Sequence, residues 1–481
     1  MSANGTSSLR VAVVGGGITG LTAAYRLLRG GVRSVALYEE RAKLGGNIQT
    51  ERRDGFVIDG GPDSFVANKP QATALCKELG LESHLIATTA RNRKVYLEQD
   101  GKLVPMPEGL MLGVPTRFLP MVTTPIFSMR GKLRMGLEPL MPRGEAWTDE
   151  SIAHFMRRRL GREVLDRVAE PLLGGIYAGD VEALSMRATF PQLVDMEQKH
   201  GSLIRGALAA RAAREHAAPK KNGPPPSPFF SLTGGMGELV DALARAVHEA
   251  GGHVRTSTRV EAVAPRAGDG GRFEVRSAHA DGTREAAPAD HVIMASPAHA
   301  AASALAGLDD ELATRLRLVP YVSTATVVLA FPRADVPHPL DAVGIVLPKD
   351  DTHRALAATF ISSKWTGRAP EDMALLRIFL GGHRDPGVLD ATDEELVALA
   401  CKELEALLGV RARPAMSRVF RYERANPQPL VGHVERVMRL RQLANGHPGL
   451  HLAGAAYDGV GLPDCVRQAN EVADRILRGA V

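Results

Sequence analysis

Arg10-Val11-Ala12-Val13-Val14-Gly15-Gly16-Gly17-Ile18-Thr19-Gly20 is the stretch whose reading decides the fold. Val11 to Val14 is an unbroken apolar run, the composition of a strand covered on both faces. Ile18 to Arg29 has helical apolar spacing, and Ser34 to Tyr38 is apolar again, so the segment predicts a strand–helix–strand unit. The glycines between strand and helix match G-x-G-x-x-G. In that context Gly15 permits a tight turn, Gly17 admits a pyrophosphate, and Gly20 lets helix and strand approach closely. Gly16, Ile18 and Thr19 complete the loop, whose amides open the helix N-terminus toward anionic phosphate. Glu39 follows the second strand, 19 residues after Gly20, where a carboxylate accepts from ribose hydroxyls and disfavours a 2′-phosphate.

The remaining composition narrows the class. A chain of 481 residues exceeds one hydrophobic core, and 44% apolar with 23% charged residues is ordinary for a packed globular protein. Fifty-nine basic against 54 acidic residues form no domain-wide basic stripe, so nucleic acid is not an expected partner. The local cluster Arg157, Arg158, Arg159 and Arg162 reads as a solvated helix face or an anion-facing patch. Cys76, Cys401 and Cys465 are widely spaced, suggesting neither a disulfide framework nor a metal site, and a reducing cytoplasmic compartment is expected. Met1 to Ser8 carries no signal pattern. No window approaches the ~18 uninterrupted apolar residues of a membrane span. Between Leu103 and Met141, however, Leu110, Met111, Leu112, Val114, Phe118, Leu119, Met121, Val122, Ile126 and Phe127 crowd among prolines. Arg117, Arg130, Lys132 and Arg134 flank them, which suits either a buried wall or a surface resting on lipid headgroups.

Three separated stretches carry the strand-rich pattern, which predicts an α/β fold with a discontinuous Rossmann-type domain. Its expected parts are residues 1–89, 229–296 and 422–481. Between them come a mainly helical, membrane-facing insertion at 90–210, a flexible connector at 211–228 and a mixed α+β substrate domain at 297–421.

Further motifs carry a resemblance. Glu39-Glu40-Arg41-Ala42-Lys43-Leu44-Gly45-Gly46 resembles the E-x-x-x-R-x-G-G continuation of the FAD-dependent amine oxidase superfamily, with Lys43 where that family has arginine. His451-Leu452-Ala453-Gly454-Ala455, then Gly459, Gly461 and a helix near Asp464, resembles its second FAD motif. Within the superfamily the chain is similar to the oxygen-dependent protoporphyrinogen oxidases over nearly its whole length. That similarity rests on Phe56 to Ser64, on Gly175 to Asp180 with Leu184-Ser185 and Phe190-Pro191, and on Pro427-Gln428 with Gly432-His433.

The resemblance implies noncovalent FAD, held by the glycine loop with Glu39, Glu40 and Asn47. Gly61, Pro62, Asp63 and Ser64 would line the flavin, Val260 the adenine, and Ala455, Val460, Gly461 and Leu462 the isoalloxazine. It implies a six-electron oxidation of protoporphyrinogen IX to protoporphyrin IX, just before iron insertion. Hydride would pass from a meso carbon to flavin N5, and dioxygen would become hydrogen peroxide. No metal and no acid/base side chain are assigned. Arg93 would anchor a substrate carboxylate, with Leu172, Gly175, Val343, Val346 and Phe360 as pocket walls. A poorly soluble substrate gives the Leu103 to Met141 region a use as a peripheral membrane contact.

Three other readings stay open. Coproporphyrinogen III, with four carboxylates rather than two, would use the same chemistry. An amine oxidase would want an aromatic beside the flavin where Leu462 stands, although Tyr422 and Tyr457 lie near in sequence. A flavin carrier without turnover is the third. A homodimer is the default oligomer.

Overall fold

The computed structural model describes residues 8–111, 113–145, 148–217, 227–267, 271–349 and 352–479. Most of the expected connector, residues 218–226, lies outside the described residues, as do Leu112 and the side chains of Met111 and Phe118. The chain forms two compact units. The first comprises Met1–Ala87, Pro228–Pro320 and Val434–Val481, and the second Thr88–Ser227 and Tyr321–His433.

The first unit is built on strands β1 (Arg10–Val14), β2 (Ser34–Tyr38), β3 (His253–Arg255), β4 (His291–Met294) and β5 (Leu450–Leu452), in the spatial order β3-β2-β1-β4-β5. All pairings are parallel. A parallel strand needs cover on both faces, which explains the continuous apolar runs. Helices α1 (Ile18–Arg29), α2 (Gly237–Glu249) and α3 (Leu462–Gly479) pack together, α1 touching both others. Leu21, Leu27, Leu37, Leu239, Leu243 and Val466 form the middle of this core. An antiparallel meander, Thr258–Pro265, Phe273–His279 and Arg284–Ala289, contacts β1 and β2. Helices Ala298–Leu305 and Asp310–Arg317, expected with the substrate domain, belong here because the former packs on the meander.

The second unit joins what the sequence suggested as two bodies. Its seven-stranded sheet runs, edge to edge, Met416–Pro427, Tyr321–Pro332, Met373–Gly381, Ala355–Phe360, Gly344–Val346, Val95–Gln99 and Lys102–Pro105. The last two strands come from the predicted helical insertion and complete the sheet of the predicted substrate domain. Helix Asp393–Leu408, opened by a Thr392/Glu395 capping box, packs on this sheet. Three helices in the 118–217 segment begin at Ser128, Ser151 and Ser185, whose hydroxyls each accept an amide of the first turn.

The arginine cluster corrects its sequence reading. Arg159 is fully buried and pairs with the fully buried Glu138, which also accepts from Ser202 Oγ and the Leu203 amide. Arg158 bridges Glu150 and Glu197, and burial, which alone would raise the Glu197 carboxyl, is outweighed by Arg158 and the Gly144 amide. Arg157 pairs with Glu182, and only Arg162 is largely exposed, beside Asp166. Two of the four arginines are therefore internal struts. Removing one partner strands a buried charge, at a cost of about 3–5 kcal/mol, whereas replacing both with apolar side chains of similar volume does not. Glu138→Leu should lower the urea midpoint accordingly, and adding Arg159→Met should restore most of it.

Candidate cofactor site

The glycine loop leaves β1 with Gly15 at φ 111°, its amide donating to Tyr38 O at 2.8 Å. A Cβ at Gly15 would sit 2.8 Å from the Ala295 backbone, so only glycine fits. At Gly20 a Cβ would fall 1.9 Å from the Gly15 carbonyl oxygen, which brings α1 hard against the loop. At Gly17 the reverse holds: a Cβ would meet nothing within 4 Å. Gly17 is the N-cap of α1, which has no side-chain cap and no acidic residue in its first turn. The space beside Gly17 thus opens at the N-terminus of α1, at the carboxyl end of a parallel sheet and beside the point where strand order reverses, where such folds receive a pyrophosphate.

Glu39 closes the other side. Its Oε2 accepts the Gly16 amide at 2.7 Å and its Oε1 the Arg41 amide at 2.9 Å. A carboxylate has about four acceptor positions, so capacity remains for ribose hydroxyls. The Gly45 amide donates to Gly16 O at 2.9 Å, which draws the second glycine loop over the first. Arg41, rather than Lys43, steadies that loop by donating to Gly46 O at 3.2 Å, while Glu40, Lys43 and Asn47 are exposed. Val260 is buried on a strand tied to the same edge, where the Thr258 amide donates to Glu39 O. Gly61, Pro62 and Ser64 are half-buried. Asp63 is buried, its carboxylate accepting from Ser64 Oγ and its carbonyl from Ser231 Oγ.

Ala455, Val460, Gly461 and Leu462 are half-buried between β5 and the head of α3. Two residues of this neighbourhood escaped the sequence reading. Ser296, just past β4 and beside Gly15, has a buried hydroxyl without a partner among the described residues. Gln468 on α3 accepts the Gly454 amide at 3.2 Å. Neither belongs to a local motif, and each is placed only by the return of the chain to the sheet.

The family model for flavin containing amine oxidoreductases matches residues 18–477. The chain belongs to that family. It is 34% identical to a coproporphyrinogen III oxidase of Bacillus subtilis (strain 168), over 95% of this chain and 96% of that protein. It is 28% identical to the mitochondrial protoporphyrinogen oxidase of Nicotiana tabacum, over 98% and 95%. A crystal structure from Exiguobacterium sp. 255-15, provisionally named a protoporphyrinogen oxidase, superposes with a TM-score of 0.83 at 32% identity, covering 98% of this chain and 100% of that one. As a member of the family the chain is an FAD-dependent enzyme, and the cradle of Gly17, Glu39 and Ser296 fits the dinucleotide.

Cys465, buried at the head of α3, has its thiol pushed up to about 11 by burial. A protonated, enclosed thiol is a poor nucleophile, which is consistent with noncovalent flavin.

The substrate-side candidates all lie in the second unit. Lys94 O accepts the Val343 amide at 2.9 Å, and Val343 O accepts the Phe360 amide at 3.0 Å, so Val343 and Phe360 meet at one end of the sheet, with Arg93 next to Lys94 in sequence. The Phe360 side chain is fully buried against the His338 ring, which makes it part of that unit's core. Val346 is half-buried farther along its strand. Leu172 and Gly175, also half-buried, belong to the π-helix Leu165–Gly174 and the turn after it. Glu170 of that helix pairs with Arg384 at 3.2 Å, and Arg384 donates to Leu347 O at 2.8 Å, tying the helix to the strand that carries Val346.

The glycines separate binding from folding. Gly17→Ala adds a methyl group only to open space, so the melting temperature of the apoprotein should match wild type, while FAD affinity should drop by roughly tenfold or more if a pyrophosphate is to lie there. Gly20→Ala should fail to fold. Equal FAD affinity in Gly17→Ala, measured by fluorescence titration, would contradict the placement.

Proposed function

We propose that this enzyme oxidises a porphyrinogen to the corresponding porphyrin, removing six electrons and six protons in three flavin cycles. The observation that carries the reading is similarity along 95% or more of the chain to proteins named for this chemistry on two related rings. Bound in the cradle, FAD would supply hydride acceptance at N5 and reoxidation by dioxygen to hydrogen peroxide. The protein's part is positional. The α1 N-terminus at Gly17 and the Glu39 carboxylate hold the dinucleotide, while the half-buried Leu172, Gly175 and Val346 offer apolar surface to a wide ring and Arg93 a cation to its carboxylates. Two rings have support. Protoporphyrinogen IX follows from the sequence motifs. Coproporphyrinogen III follows from the relatives of that name, which at 34% and 36% identity lie nearer than the tobacco protein.

Anaerobic mixing of the holoenzyme with each porphyrinogen, read by flavin bleaching and by porphyrin fluorescence once air is admitted, decides between them. Rapid bleaching by one ring assigns the substrate. Bleaching by neither would overturn the reading and favour an amine oxidase or a silent carrier. Arg93→Ala should raise KM by roughly ten- to a hundredfold with kcat little changed, as loss of one charge-assisted anchor requires.

The apolar segment after Leu103 divides between the two readings made of it. Val114, Met121, Ile126 and Phe127 are buried, whereas Leu119 is 73% and Leu140 72% exposed, with Met129, Leu133 and Leu137 also open. Among the described residues no helix is long and apolar enough to cross a membrane. We propose that the exposed side chains rest on lipid headgroups, with Arg130 nearby in sequence as a cation for anionic lipid. Phe127, being buried, is no probe of this. Leu119→Ser with Leu140→Ser should reduce co-sedimentation with anionic vesicles severalfold and leave activity on detergent-dispersed substrate intact, and unchanged sedimentation would refute the contact.

A further inference from the structure

A small polar cavity in the first unit lies between helix His433–Asn445, β5 and α3. Its volume is about 30 Å³, room for a single small ion or one or two waters. Gln468 forms its inner wall and is 2% exposed. The Gln468 Oε1 is committed to the Gly454 amide, but its Nε2 is buried with no acceptor among the described residues. A buried donor is costly to leave unmade, so this one calls for an acceptor that the described residues do not supply.

The other polar groups around the cavity decide what that acceptor is. Arg441 is taken by Asp458, and Glu471 by Arg467 at 2.8 Å. Arg475 lines the cavity and makes no ion pair among the described residues. His451 is held neutral, its imidazole lowered to about 3 by burial and then by His291, Arg475 and Arg272. Asn445 and the neutral His451 each bring a donor as well as an acceptor, whereas Gln468 Nε2 and Arg475 are donors only, in a field that Arg475 and Arg272 make positive. We propose that the cavity is a binding site for a small monovalent anion of the halide class, held between Gln468 Nε2 and Arg475.

The site is coupled to the cofactor loop through one side chain. Gly454 stands at φ 131° in the second flavin motif, and the same Gln468 amide that faces the cavity fixes its backbone N–H. An occupant that orients Gln468 therefore steadies the turn. This inference rests on the FAD assignment and not on the identity of the ring.

The test uses the yellow holoenzyme without substrate. Sodium bromide is titrated at constant ionic strength against sodium gluconate, whose anion is too large for the cavity, while melting temperature and the visible flavin spectrum are followed. A saturable rise of about 2–4 °C with a spectral shift is expected, given the effect of ligand binding on stability. Both responses should vanish in Gln468→Leu and in Arg475→Gln, the latter altering only an exposed side chain. Identical curves for the two salts, or a bromide response that survives in Arg475→Gln, would overturn the site. So would a bromide-soaked crystal with no anomalous peak beside Gln468 Nε2, including one that shows only water there.

Discussion

Nothing larger than hydrogen fits between the head of α1 and the loop that leaves β1. The carbonyl of Gly15 stands where a Cβ of residue 20 would be, at 1.9 Å. That contact sets how far the helix amides project beyond the end of the sheet, and every other part of the cradle is measured from it. Glu39 reaches the Gly16 amide because β2 ends level with β1, and Gly45 can bond to Gly16 because the loop lies flat against the helix. Were the helix lifted by one methyl group, these bonds would lengthen together. The open volume at Gly17 is thus defined by closeness elsewhere.

Sequence made the cradle legible because its determinants are local. A strand, three spaced glycines and a carboxylate fall within residues 10–39, and their roles follow from steric rules that need no knowledge of distant chain. Ser296 and Gln468 act on the same few ångströms but are brought there by strands that return hundreds of residues later. Nothing beside them in sequence announces it. Arg41 illustrates a subtler gap: a family pattern directed attention to Lys43, while backbone geometry gave the loop-holding bond to the arginine two residues earlier.

The second unit was less legible for a related reason. A run of arginines on a short helix looks solvated unless the partners are known, and Glu138 and Glu197 lie on either side, 21 and 38 residues from Arg159. Likewise, Val95–Gln99 has the apolar pattern of any strand, but its neighbour in the sheet is Gly344–Val346. Pairing across such a separation carries no local signature, so an insertion and a domain that read as separate bodies share one sheet. The apolar segment after Leu103 divides between core and surface at the level of single side chains, which composition averages away.

The parallel pairing of β4 with β5 has a consequence for how the molecule is made. Met294 finds Leu452 beside it only after more than 150 further residues have been synthesised. At ribosomal speeds that is an interval of roughly 10–30 s. Until then the nascent sheet ends at β4 with an unpaired apolar edge, the kind of surface that recruits other chains. The turn at Gly454 and the head of α3 do not yet exist either. Of the loops proposed to hold the dinucleotide, the turn at Gly454 is therefore the last to form, and the proposed cradle is complete only in the finished polypeptide.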